Sequence, residues 1–199
     1  MRSPRVRPNS GLTLVEMAVS GLVFALVLGS LAMALSSSRD AFERGSRAMT
    51  LEQDSSRVLR RVTDALRGAD TASLPLVPPA PLSSSTLDFQ THQGYDGKTW
   101  TWSAPRRIAF DPVAGTVSRI EDFGLPGEDA TVWARSVPAL FAGEVANGLD
   151  DNGNGLIDEA GFCVTREGDL LVLRLTIDGQ GPVDGDATRT AEVRIALRN

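Results

Sequence analysis

Hydrophobic positions follow three different patterns along this chain, and each predicts a different element. From Met17 to Ser38 there are 22 residues without a charge, and the apolar side chains favour no one face. A helix needs roughly 20 such residues to cross the hydrocarbon core of a bilayer. After Arg39 charges enter, and Leu51, Val58, Leu59, Val62 and Leu66 recur on one face of a continuing helical pattern. Arg60, Arg61 and Arg67, followed by Gly68, form a C-terminal stop signal. Gly45 is tolerated inside at a cost of about 1 kcal/mol, and no proline interrupts the run. One helix over 12–67 is expected, its 12–38 part in a membrane.

Period two takes over beyond a connector at 68–85, where LPLVPPAPLSSS cannot continue a helix. Leu87, Phe89 and Thr91 alternate, as do Ile108 and Phe110. Leu171, Leu173, Leu175 and Ile177 share one face, and so do Val193, Ile195 and Leu197. YDGK, DPVAG and DGQGPVDGD punctuate these runs as turns. Residues 86–199 therefore read as a β-rich head. The predicted fold class is α+β, a long N-terminal helix with a transmembrane first half, packed on an antiparallel β-sheet head.

The start of the apolar run raises the functional question. MRSPRVRPNS carries Arg2, Arg5 and Arg7, and Glu16 stands immediately before Met17. A basic leader and an apolar middle also describe a secretory signal, with Ala32-Met33-Ala34 as cleavage site and Leu35 as first mature residue. An uncleaved anchor is the second reading. Neither explains an acidic residue at the head of a membrane segment, which must lie near the interface or find a partner. Complementing the helix dipole would give Glu16 a contribution of about 0.3 to 1 kcal/mol.

SGLTLVEMAVSGLVFALVL closely resembles the processing signal of type IV prepilins and pseudopilins: basic leader, Gly, an apolar stretch with Thr, Glu, then a continuous apolar helix. The resemblance implies removal of 1–11 by a prepilin peptidase, cutting between Gly11 and Leu12 and methylating the new amine of Leu12. Leu12 departs from the family's usual Phe. Glu16 becomes the fifth mature residue, and the Leu12 amine of one subunit pairs with Glu16 of a neighbour, since isolated charges are poorly solvated in a low dielectric. RRIAF followed by a turn and VSRI, with LRN at the end of the closing strand, resembles the PilW/GspJ-type minor pilins and pseudopilins. The implied function is that of a minor pilin priming or supporting assembly near the tip of a type IV pilus; the alternative is a pseudopilin of a type II secretion system. Implied partners are prepilin peptidase, other minor and major pilins or pseudopilins, the inner-membrane assembly platform and membrane lipid. The implied location is the bacterial inner membrane, single-pass with the head periplasmic, and the filament. Ser20, Gly21, Gly29 and Ser30 would let helices approach closely.

A second constellation, NGLDDNGNGLIDE at 147–159, matches half of a calcium loop. Asp150, Asn152 and Asn154 alternate before Gly155, so oxygen ligands can wrap a hard cation where Gly permits the bend. The Leu156 carbonyl, Asp158 and Glu159 are candidates to continue the shell. Counting from Asp150, position twelve is Gly161 and the usual bidentate Glu is missing. The expected Ca2+ affinity is weak, on the order of 10⁻⁴ to 10⁻³ M. A metal-free Asn/Gly-rich hairpin loop is the competing reading. A membrane-anchored or secreted calcium-dependent binding module is the competing function.

Composition narrows the rest. A net charge of -5, with Lys98 the only lysine, argues against general nucleic-acid binding. Cys163 is the single cysteine, read as a small buried hydrophobe. Trp100 and Trp102 are expected to pack, His92 to be an ordinary loop residue, and Arg106 and Arg107 to be solvated strand residues. No nucleophile-elbow, zinc-helix or phosphate-loop motif appears, and an enzyme is not expected.

Overall fold

The computed structural model describes residues 13–69, 74, 77–179 and 187–196. The leader, Gly11, Leu12, Leu197 and most of the DGQGPVDGD turn lie outside the described residues. Two compact units divide the chain, Met1–Ser46 and Arg47–Asn199. The helix α1, Leu14–Leu66, runs through both.

In the first unit every described residue is exposed, apolar ones such as Leu22, Phe24 and Leu26 included. Intrahelical bonds satisfy the backbone, as a bilayer demands. Among the described residues α1 is the one helix long and apolar enough to cross a membrane.

In the second unit α1 buries Leu51, Ser55, Val58, Leu59, Val62 and Leu66. The predicted stripe is all there, joined by Ser55, whose hydroxyl donates to the Glu52 carbonyl at 3.0 Å. The strands β1 (Thr86–Phe89), β2 (His92–Tyr95), β3 (Trp100–Trp102), β4 (Arg106–Asp111), β5 (Thr116–Glu121), β6 (Asp129–Ala134), β7 (Phe162–Glu167), β8 (Leu170–Gly179) and β9 (Ala187–Ala196) form three antiparallel sheets. Their orders are β1-β4-β5-β6, β2-β3 and β7-β8-β9. Leu87, Phe89, Ile108, Phe110 and Val117 join the helix stripe and β8 in one core.

Strand β8 is central and buried on both faces. Leu171, Leu173 and Leu175 are joined in burial by Val172, Arg174 and Thr176. The second face is covered by irregular chain. The 78–84 connector runs beside β7, with bridges Pro79 to Arg166 and Ser84 to Val164, and Thr165 Oγ1 donates to the Pro78 and Leu82 carbonyls. The segment between β6 and β7 lies over Thr176, whose hydroxyl accepts from Ala142 N at 3.4 Å.

Candidate functional site

Two places carry chemistry, and the first is the head of α1. Thr13 N and Thr13 Oγ1 both donate to Glu16 Oε2, at 2.8 and 3.0 Å, and Glu16 N donates back to Thr13 Oγ1 at 3.2 Å. This reciprocal pair is a capping box, in which a Thr and a Glu three residues on satisfy amides that a helix start leaves without partners. Glu16 thus has a role within its own helix. Gly11 and Leu12, the predicted processing site, fall outside the described residues.

The second place is the 139–161 loop, closed at its base by the Leu140–Ala160 bridge and by Phe141 N donating to the Glu159 carbonyl at 2.9 Å. Ile157 N donates to the Pro81 carbonyl at 3.0 Å, and Leu156 is buried beneath the loop. Gly143, Gly148, Gly153 and Gly155 all take positive φ, as does Asp158 at 47°. At Gly143 a Cβ would also meet the Asn152 Cβ at 3.1 Å, so Gly lets this loop fold back on itself.

The structure separates the predicted calcium ligands into two groups. Asp150 is exposed, and its carboxylate accepts from the amides of Gly153 at 2.7 Å, Asn154 at 3.1 Å and Gly155 at 2.8 Å. Asp158 closes the loop mouth, accepting from Asn147 N at 2.9 Å and Gly148 N at 2.8 Å. Both therefore shape the backbone. Asn152 and Asn154, by contrast, turn inward onto Glu159: Asn152 Nδ2 donates to Glu159 Oε1 at 3.0 Å, and Asn154 Nδ2 donates to the same oxygen. Among the described residues no three of His, Cys, Asp and Glu gather as a metal group.

Sequence reasoning missed Glu144, which lies outside the Asp/Asn/Gly motif. It is buried, and its Oε1 accepts from Asn152 N at 3.1 Å. Asn152 therefore touches two buried carboxylates at once. Glu159 is wholly buried, and Oε2 of both Glu144 and Glu159 is buried without a hydrogen-bond partner. Nothing in the motif signals this, because the pairing arises when the loop folds across itself.

The remaining candidates resolve into structural roles or surface. Arg107 makes a two-pronged bond to Asp88, 2.5 and 2.6 Å, and lies 3.6 Å over the Phe123 ring. The pairing with Asp88 holds its guanidinium above the usual value. Arg106 donates to Thr91 Oγ1 at 2.8 Å. Trp100 and Trp102, expected to pack, do so edge-on against His92 of β2 while remaining 57% and 38% exposed. Cys163 is free and fully buried, as expected. Comparison of the chain with family models, with curated proteins and with solved structures finds no match.

Proposed function

We propose that this chain is a minor pilin: made with a leader, cut after Gly11 by a prepilin peptidase, anchored by α1 in the bacterial inner membrane, and incorporated near the tip of a type IV pilus. The observation that carries the reading is one uninterrupted helix with two kinds of surface. Leu14–Ser46 exposes apolar side chains on every face, while the stripe from Leu51 to Leu66 is buried in the core. A secretory signal needs no such continuation, since cleavage after Ala34 would remove the apolar half. In a filament the same apolar half exchanges lipid for neighbouring helices, and Ser20, Gly21, Gly29 and Ser30 permit their close approach. No group of its own does chemistry in this role. The head would add contacts to other pilin subunits.

The N-terminus tests the reading. Mass spectrometry of the chain recovered from membranes of a host with an active prepilin peptidase is expected to find a mature form that starts at methylated Leu12. A chain that starts at Leu35, or that keeps its leader when the peptidase is active, overturns it.

A further inference from the structure

We propose that Glu144 and Glu159 are the anionic ligands of a divalent-cation site on the inner side of the 139–161 loop, with calcium as its occupant. This stands apart from the filament reading, since it concerns the loop alone. Taking an ionised carboxylate out of water without compensation is very costly, and two together cost more still through mutual repulsion. Here two are buried and bonded to the same residue, Asn152, and each leaves one oxygen unpartnered. Among the described residues no salt bridge reaches either one. Arg174 of β8 is engaged with Glu192 through Nε at 2.9 Å, while its Nη1 is buried without a hydrogen-bond partner.

A cation completes this arrangement where no side chain does. The oxygens offered are two carboxylates and the side-chain amides of Asn152 and Asn154, which already crowd Glu159 Oε1. Each amide oxygen has two lone pairs and spends one on a backbone N–H, Asn152 Oδ1 on Asn154 N and Asn154 Oδ1 on Leu156 N. The second lone pair of each oxygen remains open to a cation. Mixed carboxylate and amide oxygens on an irregular loop suit calcium, whereas magnesium requires near-octahedral geometry and keeps several waters. Asp150 and Asp158, assigned to the shell on sequence alone, accept backbone amides and hold the loop in shape. Bound calcium would clamp Glu159, whose carbonyl accepts from Phe141 N, and so tie the loop to the entrance of β7.

The test uses the full chain in detergent micelles, stripped of metal with a chelator, and reads thermal unfolding by tryptophan fluorescence and binding heat by calorimetry. At about 10 mM calcium, weak binding of this class predicts a Tm rise of about 3 to 10 °C. Magnesium at the same concentration is expected to give a clearly smaller rise. Glu159→Gln should unfold at a higher temperature than wild type in chelator, because a buried unpaired charge is gone, and should lose the calcium-dependent rise. Asn154→Asp should do the reverse, with a lower Tm in chelator and a larger rise with calcium, since a third carboxylate needs the cation more. Absence of both heat and Tm shift in the wild-type chain overturns the site, as does a full calcium response in Glu159→Gln. Equal responses to calcium and magnesium overturn calcium as the occupant. The wild-type arm does not depend on either variant folding.

Discussion

The Cys163 thiol lies within β7, fully buried, and its neighbours decide its chemistry. Burial in apolar surroundings, reinforced by the negative charge of Glu159, pushes its pKa from 9.0 up to about 12. Reactivity belongs to the thiolate, so the folded protein is expected to resist alkylation by iodoacetamide at about pH 8 and to label fully once unfolded. Mass spectrometry of the two samples checks this. The linkage has a definite sign: the fold favours the protonated thiol, so its contribution is complete below pH 9.0 and is lost as pH rises toward about 12. Rapid labelling of the native chain would show that the thiol is reached by solvent.

At the scale of elements, the entrance to β7 is where loop and sheet are fitted most tightly. A Cβ on Gly161 would sit 2.0 Å from the Pro138 carbonyl oxygen and 3.0 Å from Val137 Cγ1. Backbone cannot yield as a side chain does. Gly161→Ala is therefore expected to destabilise by about 1 to 3 kcal/mol, the range for overpacking a filled interior, read as a lowered midpoint in chemical denaturation. An unchanged midpoint would mean that the loop base moves freely. The same fit explains what was legible in the sequence. Helix α1 was legible because its apolar stripe depends only on spacing within one element, from Leu51 to Leu66. The inward face of β8 was legible for the same reason, but burial of Val172, Arg174 and Thr176 was not, since it is supplied by chain far away in sequence. The exposure of Trp100 and Trp102 was not legible, because alternation marks a strand without saying what covers it, and among the described residues β2 and β3 form a two-stranded sheet of their own. At the loop, the alternation of Asn152 and Asn154 is written within one short stretch of sequence, while Glu144 meets Asn152 only through the fold.

For the molecule as a whole, the decisive residue is Glu16, because two physical roles converge on it. Within one chain it closes a capping box with Thr13, accepting the Thr13 amide that the helix start leaves without a partner. Between chains, the filament reading makes its charge the partner of the Leu12 amine on a neighbouring subunit. Ala removes both roles together and cannot separate them. Gln can, because a glutamine at this place in the box still accepts the Thr13 amide bond but carries no charge. Under the filament reading, Glu16→Gln keeps the helix and the membrane association yet is recovered in sheared filaments at a small fraction of the wild-type amount, as is Glu16→Ala. The measurement is immunoblotting of membrane and filament fractions side by side. If Gln assembles normally while Ala does not, Glu16 acts by holding the helix start in register, and the charge pairing between subunits is wrong for this chain.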